Sequence, residues 1–184
     1  ANYPFPAAPI NELREEAYRE VTTHPFDAFS PGAYAINLPT GMGKTLAVFS
    51  FACKLREALF VKKQLSYRII YTLPFLSIID QNSQVIEEIL KTNGFSADTG
   101  LLLKHHYLTP KTYQTESYDF EPDEAKIMVE GWNSEIVVTT FVQLFETLVT
   151  AKNKMVRKFH RLSNSIIILD EAQTIRHELW PLMK

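Results

Sequence analysis

The run Leu38-Pro39-Thr40-Gly41-Met42-Gly43-Lys44-Thr45 has the residue types and spacing of a phosphate-binding loop. Gly41 and Gly43 allow the backbone to turn so that successive amides point toward an anion. A helix that begins near Gly43 adds unpaired amides and a partial positive charge. Lys44 can neutralise the β- and γ-phosphates, and the Thr45 hydroxyl can coordinate Mg²⁺. We therefore assign residues 40–45 to a nucleoside triphosphate.

The loop departs from the strict motif at one position. That motif has a glycine six residues before the lysine, and this position is Leu38 here. The sequence matches the variant Thr-Gly-x-Gly-Lys-Thr instead. The alternative is a glycine-rich turn that leads into a helix with a solvated lysine. An apolar run before the loop and an amphipathic segment after it favour the phosphate site.

Two carboxylates, Asp170 and Glu171, follow the apolar run at 165–169. The tip of a strand would hold Asp170 where it can reach a nucleotide-bound Mg²⁺, and Glu171 would polarise the attacking water as general base. Gln173 could hydrogen-bond to the γ-phosphate or relay its presence to a partner domain. An Asp-Glu pair after a strand is also a common surface turn. Together with the phosphate loop, the pair predicts catalytic roles for Lys44, Asp170, Glu171 and Gln173, and metal ligation by Thr45 and Asp170.

The elements that position these residues follow an alternating pattern. Apolar runs lie at 33–37, 67–73, 101–103, 136–139 and 165–169, and segments with helical spacing lie at 45–60, 76–91 and 141–151. A further helix is expected after Asn11, which can cap it, and before Pro25. The runs mostly lack polar alternation, which is typical of strands buried on both faces. We expect an α/β domain with a mainly parallel sheet.

Composition limits the class of protein. The 184 residues carry a formal charge of −2, which excludes a globally basic nucleic-acid binder but not a local basic face. Residues 152–161 hold five bases, which are either a solvated face or a contact for polyphosphate or nucleic acid. A single cysteine, the lack of a signal-peptide pattern and the lack of a long apolar run lead us to expect a cytoplasmic protein.

Five segments resemble the first RecA-like domain of superfamily 2 helicases. They read LPTGMGKTL at 38–46, YTLPFLSIIDQ at 71–81, HH at 105–106, VTTFVQLFE at 138–146 and ILDEAQ at 168–173. More narrowly, they are similar to the helicase part of the CRISPR-associated nuclease-helicase of type I interference systems. The resemblance implies a three-layer P-loop NTPase fold, with a lead-in and helix at 1–30 and an insertion near 107–131. The first RecA-like domain is expected at 31–184, truncated at its C-terminal end, with ATP and Mg²⁺ as cofactors.

The resemblance also implies contacts with one strand of nucleic acid, made by Pro74, Ser77, Thr139, Thr140 and Gln143. Hydroxyls and helix starts bind phosphates without reading bases, and ordinary helix capping is the alternative for each hydroxyl. An adenine contact upstream of the loop could involve Asn11 or Arg14. An exposed, salt-bridged Arg14 is the competing interpretation.

The partners implied are single-stranded DNA, an RNA-guided surveillance complex, and a second RecA-like domain that supplies arginines for hydrolysis. We therefore expect the chain to be part of a longer protein and to hydrolyse ATP slowly alone. Gln173 stands where this family usually has histidine. None of the five histidines precedes an aspartate, so a metal-dependent nuclease domain is expected outside this chain, and His105 and His106 are expected to be structural. The alternatives are a restriction or repair motor, and a nucleotide-gated binding module without turnover.

Overall fold

A computed structural model of the chain describes residues 9–23, 32–109, 112–115, 117–150 and 153–183. The chain divides into two compact units, residues 1–66 and 67–184. The helices are α1 (Pro9–Thr22), α2 (Lys44–Lys63), α3 (Ile79–Thr92), α4 (Pro122–Glu130), α5 (Phe141–Val149) and α6 (Asn153–Leu162), and the strands are β1 (Arg68–Leu73), β2 (Leu102–His105), β3 (Gln114–Thr115), β4 (Tyr118–Asp119), β5 (Ile136–Thr140) and β6 (Ser165–Leu169). None of these helices has the length and apolar character needed to cross a membrane.

The first unit consists of α1, α2 and the segment that joins them. The helix predicted near Asn11 is confirmed, but it begins at Pro9, so Asn11 lies inside it and does not cap it. Proline suits a first helical turn because its φ is already helical and the amide that it lacks would be unpaired there. At the other end of α1, Lys54 Nζ in α2 donates to the carbonyl oxygen of Thr22 at 2.8 Å. This bond ties α1 to α2.

The strand predicted at 33–37 is absent from the structure. These residues form neither helix nor strand, and most of their side chains are exposed, including that of Tyr34. A strand needs a neighbour to accept and donate its ladder of hydrogen bonds. Apolar composition indicates that a segment could be buried, but it does not supply that neighbour, so the prediction is wrong for this structure.

The second unit is built on a four-stranded sheet in the order β2-β5-β1-β6. All three pairings are parallel, and Leu73 at the end of β1 lies opposite Thr140 at the end of β5. The central strands β1 and β5 are almost completely buried, whereas β6 at the edge exposes Ile167. The predicted α/β class with a mainly parallel sheet is confirmed.

The segment predicted as an insertion contributes to the core of this unit. It forms the β3-β4 hairpin and α4, whose Ala125 and Val129 are buried against Trp132. A reciprocal capping box between Glu121 and Glu124 begins α4, with proline in its first turn. The sequence analysis did not identify this helix, although the capping pattern was present among the acidic residues.

The basic cluster forms α6, and three of its bases contact the protein. Lys158 is only 3% exposed and donates to Gln143 Oε1 at 2.7 Å. Arg157 pairs with the buried carboxylate of Glu130 at 3.5 Å, and Arg161 hydrogen-bonds to Asn133. For Lys158, both the solvated-face and the anion-contact interpretations are therefore wrong. An ammonium group in the interior needs polar or aromatic partners, and it has Gln143 and the Trp132 ring, 5.2 Å away.

His105 is buried at the end of β2 with its ring edge-on to Trp132. Burial, followed by the nearby positive charges of Lys158 and His106, lowers the pKa of His105 from 6.5 to about 3. The side chain is therefore neutral at physiological pH, in agreement with the structural role expected for it.

The low pKa of His105 predicts acid sensitivity. Below pH 6.5 His105 binds a proton in the unfolded chain, but in the folded chain it does so only near pH 3. The free energy of unfolding therefore falls as the pH is lowered from 6.5 toward 3. Between pH 7 and 5 this group alone should lower the free energy of unfolding by about 2 kcal/mol. Guanidinium chloride unfolding at both pH values measures the difference. His105→Leu should remove this pH dependence, whereas His160→Leu, at an exposed position, should keep it. If the free energy of unfolding changed equally with pH in the two variants, the assignment would be contradicted.

Candidate functional site

The phosphate loop begins with a tight turn at 39–42. The Met42 amide donates to the carbonyl oxygen of Pro39 at 3.3 Å, and Gly41 has a φ of +80°. A positive φ at the third position of such a turn is the geometry that favours glycine. A Cβ at residue 41 would meet no atom within 4 Å. The backbone conformation, and not a lack of space, therefore accounts for this glycine.

Gly43 precedes α2 in the left-handed conformation, with φ 73° and ψ 33°. Lys44 and Thr45 are consequently the first two helical residues, and no side chain caps their turn. The first amides of a helix have no partner within the helix, and helix starts of this kind are common anion-binding sites. The predicted loop-to-helix context of Gly43, Lys44 and Thr45 is present in this unit.

Arg14 in α1 contacts this loop. Its Nε donates to the carbonyl oxygen of Gly41 at 2.7 Å, and its Nη1 donates to Asn11 Oδ1 at 2.9 Å. The sequence analysis considered an adenine contact and a surface salt bridge for Arg14 and missed this role. The contact supports the backbone of the loop at its left-handed residue. A contact of Asn11 or Arg14 with adenine remains a prediction.

Asp170 follows the last residue of β6 and is held from two sides by β1. Its backbone amide donates to the carbonyl oxygen of Thr72 at 3.0 Å. The hydroxyl of Tyr71 donates to Asp170 Oδ2 at 2.8 Å. The carboxylate therefore has a defined orientation at the carboxyl end of the strand.

Glu171 adopts the left-handed conformation, with φ 59° and ψ 40°. This conformation costs a residue with a Cβ about 1–2 kcal/mol, and such strain is concentrated at functional sites. Gln173 Nε2 donates to Glu171 Oε2, and Thr174 donates to the Glu171 carbonyl from its amide and its hydroxyl. In this structure Gln173 therefore holds the glutamate. Its proposed contact with the γ-phosphate remains a prediction.

The turn that carries these acids is packed against α5. Ile175 is buried in a cluster with Phe141 and Phe145, and Ala172 and Leu169 pack against the same cluster. This packing fixes the short helical turn Ala172–Thr174 next to the start of α5.

The residues predicted to contact nucleic acid differ in exposure. Pro74 is half-buried after β1, and Ser77 is exposed in the single turn Leu76–Ile78. Thr140 Oγ1 accepts a hydrogen bond from the Gln143 amide at 3.2 Å, which is the capping interaction considered as its alternative role. Thr139 has no exposed surface, and its hydroxyl donates to the His105 carbonyl at 2.6 Å. Thr139 therefore joins β5 to β2, and the Gln143 side chain is bonded to Lys158.

The acidic turn, the Pro74–Ser77 segment and the start of α5 all follow the carboxyl ends of strands in one sheet. Leu73 lies opposite Thr140, and Thr72 lies opposite both Thr139 and Leu169. Because adjacent strands are about 4.8 Å apart, the acidic turn, the Pro74–Ser77 segment and the start of α5 are neighbours. The phosphate loop belongs to the first unit and the acidic turn to the second. Their convergence on one triphosphate remains a prediction.

The oxygen donors in the two units suit magnesium. Mg²⁺ prefers carboxylate, hydroxyl and phosphate oxygens; the second unit has the Asp170 carboxylate and the first unit has the Thr45 hydroxyl. The glycine-rich turn and the helix start after Gly43 suit phosphates, which bind at such sites. Among the described residues, no group of three or more His, Cys, Asp or Glu side chains is arranged to bind a metal ion by itself.

The chain is similar to known helicases. Residues 11–180 match the DEAD/DEAH box helicase family. A CRISPR-associated nuclease/helicase Cas3 from Haloferax volcanii is 34% identical over 183 aligned positions, which cover 93% of this chain and 19% of that protein. This chain thus spans about a fifth of the length of the relative.

Proposed function

Because the chain belongs to the DEAD/DEAH box helicase family, we propose that it is the ATP-binding motor domain of a DNA helicase-translocase in CRISPR interference. ATP hydrolysis would drive movement along single-stranded DNA in the 3′ to 5′ direction. The family implies the use of nucleotide, and the similarity to a CRISPR-associated nuclease/helicase supports the CRISPR assignment. The substrate and the coupled movement belong to the proposal, since the chain corresponds to only part of that protein.

The adjacency of β6, β1 and β5 carries this proposal. A turn with a candidate general base lies beside two segments whose hydroxyls and helix starts suit a phosphate backbone. A shift in the acidic turn would be transmitted to α5 through Ile175, Phe141 and Phe145, which pack together. Through this packing, a change of the bound nucleotide could alter the contacts that the start of α5 makes with DNA.

Bound ATP–Mg²⁺ would supply the transferable γ-phosphoryl group and a charge that stabilises the leaving oxygens. Lys44 and the amides around Gly43 would orient the phosphates, while Thr45 and Asp170 would hold the cation. Glu171 would accept a proton from the attacking water at its carboxylate. Gln173 would keep that carboxylate directed while it acts.

Nucleic acid would lie across the segments that follow the carboxyl ends of β1 and β5. Ser77 and the Thr140 hydroxyl would contact phosphates, with Pro74 shaping the turn and Gln143 at the start of α5. Thr139 would act from inside the sheet by fixing the position of Thr140. Further partners would be a second RecA-like domain, an RNA-guided surveillance complex and a metal-dependent nuclease domain outside this chain.

DNA-stimulated ATPase activity of the full-length protein tests this function. We expect single-stranded DNA to raise kcat at least about tenfold over double-stranded DNA of the same length, with Ser77→Ala requiring more DNA for half-maximal stimulation. Exposed Ser163→Ala, at the opposite end of the sheet, serves as the matched control. ATP binding without stimulation by any DNA would favour a nucleotide-gated module. Stimulation by duplex DNA alone would favour a restriction or repair motor.

A further inference from the structure

Tyr71 is a buried polar residue that is not among the predicted site residues. It lies on β1, between β5 and β6, and its side chain is 0% exposed. A tyrosine hydroxyl in such a position needs a hydrogen-bond partner. The partner is Asp170 Oδ2, 99 residues along the chain and 2.8 Å away.

The backbone around Asp170 is fixed by the neighbour of Tyr71. Thr72 accepts the Asp170 amide at 3.0 Å through its carbonyl oxygen and donates its own hydroxyl to the Ile168 carbonyl at 2.6 Å. These bonds set the position of the aspartate Cα. The remaining freedom is rotation of the side chain, which the Tyr71 hydroxyl restricts. With Oδ2 held, the position of Oδ1 is determined as well, since both oxygens share one planar group.

We propose that Tyr71 is a positioning residue that orients the Asp170 carboxylate for Mg²⁺ bound with the nucleotide. The inference rests on the magnesium role proposed for Asp170. A hydrogen bond to an ionised carboxylate contributes more than one between neutral groups. Donors that orient a metal-binding carboxylate typically change metal affinity or activity by about 10–100-fold when they are removed. Because Tyr71 is buried in the core, its hydroxyl fixes the orientation of the Asp170 carboxylate before Mg²⁺ binds.

Tyr71→Phe removes the hydroxyl and retains the ring that fills the core. The measurement is equilibrium binding of a fluorescent, non-hydrolysable ATP analogue to the full-length protein at increasing Mg²⁺ concentration. We expect Tyr71→Phe to need about tenfold more Mg²⁺ for half-maximal binding. Tyr113→Phe is the matched control, since Tyr113 is 2% exposed and donates to the Asn133 carbonyl in the core. It should leave the Mg²⁺ requirement unchanged, and an equal shift in both variants would overturn the inference.

A double-mutant cycle with Asp170→Asn separates this inference from the proposed function. If Tyr71 acts through the carboxylate, its substitution should have no further effect on Mg²⁺ dependence in the Asp170→Asn background. Wild-type Mg²⁺ dependence in Asp170→Asn itself would refute the magnesium role of Asp170. Loss of Mg²⁺ dependence in Asp170→Asn with wild-type behaviour in Tyr71→Phe would refute only the inference about Tyr71. Far-UV circular dichroism and melting temperature establish that each variant is folded.

Discussion

Lys44→Ala is expected to weaken ATP binding to the full-length protein by about two orders of magnitude. A charge-assisted hydrogen bond to phosphate contributes up to about 3 kcal/mol, and 1.4 kcal/mol corresponds to a factor of ten in affinity. Lys44 is the first residue of α2, and alanine is a good helix former, so the fold should be retained. Calorimetric titration with a non-hydrolysable ATP analogue measures the loss.

Lys62→Ala provides the control for this experiment. Lys62 is exposed in the last turn of the same helix, so its substitution removes one positive charge at the opposite end. Its affinity for the analogue should stay within about twofold of wild type, because solvent and salt screen distant charges. If both variants bind ATP normally, the glycine loop is a structural turn and the assignment of residues 40–45 is wrong.

Glu171→Gln is expected to abolish turnover while ATP binding persists. The substitution keeps the shape of the side chain but removes the basic oxygen that would accept a proton from water. General-base catalysis typically contributes about 10²–10⁴-fold in rate. Single-turnover hydrolysis by the full-length protein with single-stranded DNA, measured alongside analogue affinity, separates the chemical step from binding.

Glu178→Gln is the matched substitution in the same unit, at an exposed position beyond the acidic turn. It should hydrolyse ATP at the wild-type rate. A Glu171→Gln protein that kept the wild-type rate would show that another group activates the water.

The left-handed backbone of Glu171 adds a stability test to the same position. Glycine has no Cβ and adopts this conformation without a steric penalty. Alanine has a Cβ and still carries that penalty. The free energy of unfolding of Glu171→Gly should therefore be about 1 kcal/mol higher than that of Glu171→Ala, although both variants lack the carboxylate. Equal stabilities would indicate that the turn relaxes when the side chain is removed, and that its strain does not serve to position the base.

The phosphate loop and the acidic turn could be predicted because their geometry depends on a few consecutive residues. Gly41 and Gly43 permit positive φ, and the apolar run before Asp170 forms β6, which pairs with β1. The apolar run at 33–37 shows the limit of such reasoning. It has the composition of a strand but lies outside the sheet, since a strand also depends on a partner that local composition does not specify.

Charge patterns were interpreted less well than apolar patterns. The bases at 152–161 include Lys158, which is buried. A count of charges describes the segment as a whole, whereas burial depends on which face of a helix meets the core. The partners Gln143 and Trp132 were required to distinguish an internal ammonium group from a solvated one.

The sequence alone determined the helicase family, the parallel α/β class and the candidate reactive groups, since these follow from residue type and short spacing. The tertiary structure decided the strand order, the burial of Thr139 and the contact between Tyr71 and Asp170. Each of these depends on which distant segments become neighbours. That choice is made by packing across the whole unit, so no local pattern in the chain encodes it.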